Sequence, residues 1–280
     1  TSGSQLTRQL GELMLTGRLI ALDIETTGLD PFHDKILLIQ LGTRTKRLVI
    51  DCQKLGDEIQ RLDILLGSDR FGKLGHNLAF DCAFLEVNGL RVRGPLVDTY
   101  LGSKVDTAGL PERKGMNGLA ACAKRLLGID LSKEEQTSFI DFDGEFTEEQ
   151  LQYAADDVGE VLFDIWEATK TLLAGQDLIH VWHLECRALP AFIQMHVNGM
   201  KLNVAYYREL LASESQFREE KKLEVIRHLD ENGVLDDYKC PLTGELLIHP
   251  NYSGKGKAKT KGFNLGSPAQ LGVALAALGV

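Results

Sequence analysis

Asp23 and Glu25 lie one residue apart in ALDIETTGLD, residues 21–30, at the end of a run that otherwise reads as a buried strand. Side chains two apart on a strand project to the same face, so the two carboxylates point together. At about 4 Å they repel by roughly 4 kcal/mol at an effective dielectric near 20. A divalent cation with oxygen ligands relieves that repulsion and uses it. Asp81 follows in GHNLAFDCAF, in the first turns of an apolar helix, four residues after Asn77. The last group is Tyr153 and Asp157 in YAADDVGEV, which stack on one helix face at i and i+4. The rival acid Asp156 faces about 100° away. A carboxylate beside a phenol suits a metal ligand next to a hydroxyl that orients a water. Each fragment alone also has an ordinary reading: a solvated strand end, an acid favoured by the helix dipole, or a partly exposed acidic helix.

These groups need elements to carry them. RLIALDI and KILLIQLGT are apolar runs of strand length separated by Gly28, Asp30 and Pro31, and RLVIDC follows after a turn at 43–46. LGDEIQRLDILLGS has Leu55, Ile59, Leu62, Leu65 and Leu66 at helical spacing and ends at Gly67. FGKLGHN predicts a short strand, LAFDCAFLEVNG a helix closed by Asn88-Gly89, GPLVDTYL a strand leading into a helix, and NGLAACAKRLLG another helix. TEEQ, 147–150, is a capping box. The apolar stripe from Leu151 through Ala154, Val158, Leu162, Ile165 and Leu172 predicts one helix interrupted at Gly175. A helix over 178–197, a long charged helix capped by Asn203, a turn-rich stretch over 233–262, and a last helix opened by Ser267 and Pro268 with Gln270 in the box position complete the chain. Strands dominate early and helices late, which predicts an α/β domain over 1–175 and a helical extension over 176–280.

At 280 residues and 44 % hydrophobic content the chain can build a sizeable core. Five widely spaced cysteines without a Cys-x-x-Cys pair argue against a disulfide framework and a cysteine-rich zinc site. No run of 18 apolar residues and no signal-type leader occurs, so we expect a soluble, intracellular protein without membrane contact. The net charge of −9 disfavours a protein that grips nucleic acid over its whole surface. The exception is SGKGKAKTKG, 253–262, a basic loop that reads either as a solvated segment or as a phosphate-contacting arm.

In this order and spacing, LDIET, NLAFD and YAADD resemble the three exonuclease motifs of the DEDD superfamily in its tyrosine subtype. The resemblance implies that Asp23, Glu25, Asp81 and Asp157 bind two divalent cations, Mg²⁺ or Mn²⁺. Asp23 would bridge both, Glu25 and Asp157 would complete the first, and Asp81 would serve the second, with Tyr153 positioning a water. It further implies that Thr26, Leu29, Asn77 and Phe80 contact the terminal nucleotide. The implied fold is ribonuclease H-like: a mixed five-stranded sheet flanked by helices, the middle strand of the early meander antiparallel. RLLGIDLSKEEQTSFIDFDGEFTEEQLQYAADDV resembles the segment shared by ribonuclease D and the exonuclease domains of family A DNA polymerases, with Phe142 where those relatives commonly have Trp. LECRALPAFIQMHVNGMKLN and NLGSPAQLGVALAALGV look like the connection from such an exonuclease into a thumb, so 176–280 would be a helical connection and partial thumb. No palm or fingers motif occurs. We therefore expect a 3′–5′ exonuclease that releases nucleoside monophosphates from single-stranded or frayed DNA 3′ ends, proofreading for a polymerase domain in the same native chain. A cytoplasmic or nucleoid location follows if the source is bacterial or viral, with an organelle left open. The competing readings are a ribonuclease D-like RNA trimmer and a catalytically silent nucleic-acid-binding scaffold.

Overall fold

The computed structural model describes residues 3–111, 113–131, 138–140, 142, 144–247 and 262–280. Lys255, Lys257, Lys259 and Lys261 of the expected basic loop lie outside the described residues. The chain divides into two compact units, Thr1–Gly199 and Met200–Val280.

The first unit opens with α1 (Gly3–Thr16), followed by β1 (Leu19–Thr26), β2 (Ile36–Gly42) and β3 (Arg47–Asp51). Two single-turn helices, α2 (Cys52–Leu55) and α3 (Asp63–Leu66), flank a 3₁₀ stretch, Gly56–Leu62. Then come β4 (Gly72–Gly75), α4 (Leu78–Val87), β5 (Leu96–Asp98), α5 (Thr99–Asp106), α6 (Leu119–Leu127), α7 (Glu148–Asp157), α8 (Glu160–Gly175) and α9 (Ile179–Asn198). The strands form one five-stranded sheet among the described residues, ordered β3-β2-β1-β4-β5. β2 runs antiparallel to both its neighbours, while β4 pairs in parallel with β1 and β5. This is the mixed sheet that the sequence predicts, with β1 in its centre.

Alternation along β1 assigns the two faces. Ile20, Leu22 and Ile24 join Ile39 and Leu41 in the main core, which α1, α4 and α9 cover with Leu6, Leu10, Phe84, Leu85, Leu189 and Ile193. Ala21 faces the other way, with Leu74, against Val158, Leu162 and Phe163. Asp23 and Glu25 belong to this second face by the same alternation.

The structure departs from the expected elements where packing or a local hydrogen bond overrides periodicity. α1 is not foreseen by the strand-dominated reading of the N-terminal region, yet Leu6, Leu10 and Leu13, at i, i+4 and i+7, are buried. The helix expected over 55–66 is broken into short pieces by the 3₁₀ stretch. The long helix after Thr147 stops at Asp157 and restarts at Glu160, because Gly159 takes an extended ψ and sits where a Cβ would lie 2.8 Å from the Arg47 guanidinium. The first compact unit runs on through α9 to Gly199. Trp182 of α9 donates its indole N–H to the Asp98 carbonyl at 2.8 Å, and Leu189 and Ile193 enter the main core.

In the second unit α10 (Val204–Glu231) is capped by Asn203 as expected, and α11 (Pro268–Ala277) by Ser267. Gln270 does not close the box; its Oε1 accepts from the Asn264 amide at 2.6 Å. A small core of Ile226, Leu229, Leu235, Phe263 and Ala274 joins the two helices. Among the described residues no helix is long and apolar enough to cross a membrane.

If α1 belongs to the main core, Leu10→Ala should cost about 2–5 kcal/mol in chemical denaturation. Leu15→Ala, on the same helix but 89 % exposed, should change stability by less than about 0.5 kcal/mol. Equal effects would mean that α1 is not docked.

Candidate active site

The carboxylates converge at the C-terminal end of β1. One oxygen from each of Asp23, Glu25 and Asp157 lies within 4.8 Å of the others, a spacing that one oxygen-ligated cation can span. Asp81 stands outside that triplet. It is buried in the first turn of α4, and its Oδ1 accepts the Ile24 amide at 3.1 Å, which fixes it beside the strand between the other two acids. Asp157 closes α7, four residues after Tyr153, whose hydroxyl donates to it.

Electrostatics mark the cluster as unbalanced. Burial pushes Glu25 up to about 8, helped by Asp157 and Asp81. Burial likewise raises Asp81 to about 8, and raises Asp157 to about 7 against the pull of the Tyr153 hydrogen bond. Asp23 lies well above the ordinary carboxylate range, through burial first and then through Asp81, Asp157 and Glu25. Burial first, and then Asp157, Glu25 and Asp23, raise the Tyr153 phenol. Among the described residues no basic side chain contributes to these shifts at Asp23, Glu25, Asp81 or Asp157, so protons or a cation would compensate the cluster.

Local structure explains why these side chains meet. The capping box forms in full: the Thr147 amide donates to Gln150 Oε1 at 3.0 Å and the Gln150 amide to Thr147 Oγ1 at 3.2 Å. Gln150 Nε2 also donates to Ser138 Oγ. The first turn of α7 is thereby fixed, and with it the phase of Tyr153 and Asp157. Asp156 is spent elsewhere, since its carboxylate takes Arg47 of β3 at 2.5 Å and Gln152 at 2.9 Å. That pairing turns Asp156 outward and leaves Asp157 facing the strand.

A cleft of about 710 Å³ opens onto the cluster. Its lining includes Asp23, Glu25, Asp81, Tyr153 and Asp157, and also Thr26, Leu29, Asn77 and Phe80. Leu29 is 84 % exposed at the mouth. The turn that presents it is held by the Thr27 amide on the Lys35 carbonyl and the Asp30 amide on the Asp34 carboxylate. A Cβ at Gly28 would lie 2.4 Å from the Asp34 carboxylate, so a side chain there would push Asp34 off the Asp30 amide. Thr26 donates its hydroxyl to the Gly28 carbonyl at 2.6 Å. Phe142 stacks on Phe146 at 4.7 Å, in the cluster that also holds Phe139 and Tyr153.

Sequence reasoning missed Asp98, and with it His76 and Tyr100. Asp98 is buried at the end of β5 and accepts four backbone amides: Asn77 and Leu78 at the start of α4, and Tyr100 and Leu101 at the start of α5. One carboxylate thus ties together the helix that carries Asp81 and the helix that carries Tyr100. An Asp immediately before a helix was a readable N-cap signal in LVDTYL. His76 bridges Thr99 Oγ1 and the Asn117 carbonyl, both at 2.9 Å, and lines the cleft with Tyr100.

Comparison with known proteins matches this arrangement to a family. Residues 2–174 match the model of a family described as 3′-5′ exonuclease. No curated protein sequence matches. Among solved structures, a nuclease in its apo form aligns at 25 % identity with a TM-score of 0.58, over 68 % of this chain and 89 % of that one. NrnC of Brucella melitensis aligns at 25 % identity and 0.56, over 65 % and 86 %. Escherichia coli RNase D aligns at 25 % identity and 0.57, over 70 % of this chain and 49 % of that one. The sheet order, the flanking helices and these neighbours together make the fold the ribonuclease H-like one. With more than half of its residues matched, the chain belongs to the 3′-5′ exonuclease family.

Proposed function

We propose that the chain removes nucleoside monophosphates one at a time from the 3′ end of a DNA strand, proofreading for a family A DNA polymerase domain in the same native chain. The observation that carries the hydrolytic reading is the meeting of Asp23, Glu25 and Asp157 within 4.8 Å, with no basic side chain of the described residues among the groups that shift them. Those three residues would hold one divalent cation, Mg²⁺ or Mn²⁺, and Asp81, with Asp23, a second. Bound there, such cations lower the pKa of an attacking water and stabilise the departing 3′-oxygen. The chain's own residues do the rest. Tyr153, anchored on Asp157, and Glu25 orient the water for attack on the phosphorus. Leu29 wedges against the last base, Thr26 contacts its sugar, and Asn77 and Phe80 line the backbone path. Because the site must part the last base from its neighbour, unstacked single-stranded ends are the favoured substrate.

The choice of DNA is supported by the resemblance of residues 178–204 and 264–280 to the connection between an exonuclease and a polymerase thumb. A second reading is favoured by a neighbour: E. coli RNase D is described as an exoribonuclease involved in structured RNA processing. On that reading the same site trims RNA.

Matched single strands of DNA and RNA, labelled at the 5′ end, separate the two. The DNA strand should shorten faster from its 3′ end, and faster trimming of RNA would replace the first reading with the second. Asp23→Ala combined with Glu25→Ala should lower the cation-dependent rate by roughly 1,000-fold or more, and Tyr153→Phe by roughly 100-fold. Undiminished digestion by the double variant would refute the site.

Stability should report the same balance. Carboxyls held at about 7 to 8 when folded, against about 4 when unfolded, bind protons more tightly in the native state. In EDTA, their contribution to stability is full below about pH 4 and is lost as the pH rises through about 8. Thermal unfolding in EDTA should therefore give a midpoint that falls over this window, and millimolar Mg²⁺ or Mn²⁺ should flatten the fall. Asp23→Asn should reduce both the fall and the cation effect. Identical pH profiles with and without cation would count against a cation at this cluster.

A further inference from the structure

Gln40 is fully buried on β2, and both polar atoms of its side chain, Nε2 and Oε1, lack a hydrogen-bond partner. Among the described residues it is the one side chain for which this holds at both atoms. The strand register puts it directly opposite Asp23, and opposed residues of an antiparallel pair share a face. Its neighbours on that face place it more closely. Two residues along, Gly42 lies so near the end of α7 that a Cβ there would be 2.2 Å from the Val158 carbonyl. Two residues the other way, Leu38 packs in the cluster that contains Ala154 and Tyr153. Gln40 therefore lies beneath the last turn of α7, between the strand that carries Asp23 and the helix end that carries Asp157.

A leucine or methionine would fill this space without burying an unpaired amide, which is costly in a protein interior. The scaffold thus has no use for the amide that an apolar side chain would not serve better. Its chemistry fits the adjacent carboxylate: an amide nitrogen offers two N–H donors, and a carboxylate accepts at several lone pairs. Carboxylates that hold cations are commonly fixed by just such outer hydrogen bonds.

Resting on the cation-binding reading above, we propose that Gln40 is a positioning residue, whose side-chain N–H donates to the Asp23 carboxylate and fixes its orientation when Asp23, Glu25 and Asp157 hold a divalent cation. The amide then stabilises the cation-bound form and contributes nothing to the cation-free one. Its removal spares the fold and weakens the cation.

The test titrates Mn²⁺ alone into the EDTA-stripped full chain, followed by electron paramagnetic resonance, for the wild type, Asp23→Ala, Gln40→Met and Gln40→Leu. Both Gln40 variants should bind Mn²⁺ about 10- to 100-fold more weakly, while their unfolding midpoints in EDTA equal or exceed that of the wild type. Wild-type affinity in a Gln40 variant overturns the role of Gln40 and leaves the cation site standing. A lower midpoint in EDTA for both variants, with the cation-induced rise of the midpoint intact, assigns Gln40 to packing and overturns it as well. A wild type that binds no Mn²⁺, or binds it unchanged after Asp23→Ala, overturns both this inference and the reading beneath it.

Discussion

Mutual repulsion among buried and half-buried carboxylates is the constraint on which the rest of this structure depends. Free side chains of like charge move apart, and Asp23, Glu25, Asp81 and Asp157 are kept from doing so. Asp23 and Glu25 project from the central strand of the sheet, and Asp81 is pinned by the Ile24 amide. Asp157 is set by a helix whose first turn is locked through Thr147 and Gln150. The strand cannot swing, because neighbours pair along both of its edges. The fold thus holds ligands together in advance of what they bind, which is the condition for a cation site that is both tight and selective.

Holding a helix in phase requires fixing its end, and two devices do so here with different reach. The capping box acts within α7 and decides whether Tyr153 and Asp157 face the strand. Asp98 acts between elements, drawing the starts of α4 and α5 onto the end of β5 through four amide hydrogen bonds. Asn77 takes a left-handed backbone at that junction, with φ of 74°. Asn is among the few side chains that tolerate such a conformation. The position of Asp81, one turn further on, is inherited from it.

How much of this could be read in the sequence depends on the range of the interaction concerned. The three motifs, the capping box and the strand alternation are local, and each can be read from a few consecutive residues. Leu6, Leu10 and Leu13 were equally legible as a helical stripe, but a short apolar stripe at an N-terminus has no distinguishing mark until a core is there to receive it. The break between α7 and α8 was not legible in the apolar stripe, which runs on through Val158, because it is a turn of the backbone: Gly159 takes an extended ψ before α8 restarts. Arg47, more than a hundred positions earlier, pairs with the outward-facing Asp156, a contact that no local reading shows, although helix phase alone already separates the two acids by direction. The point at which the first compact unit ends was not legible for a similar reason. α9 has an apolar face of its own, and only the groove formed with α4 and β5 shows where that face is buried.

Buried polar groups in this protein fall into two kinds, and the difference separates scaffold from site. Lys73 is completely buried, yet its ammonium donates to the carbonyls of Ser68, Phe71 and Arg93. Asp98, equally buried, has its four amides. Such groups are complete in themselves and can only lose by change, which is the behaviour of a structural part. The acids at the end of β1 are different: they raise one another's proton affinity and have a cleft before them. Gln40, behind Asp23, has no partner at all. A folded chain tolerates incompleteness of this kind only where something else in its working life supplies the missing interaction. Along the cleft, these groups are gathered on the β1–β2 pair, the first turn of α4 and the end of α7. The missing partner is therefore small, positively charged and held at one place. A nucleic-acid strand, extended and negative, could not by itself supply that interaction, and it can approach these acids only after that charge is there.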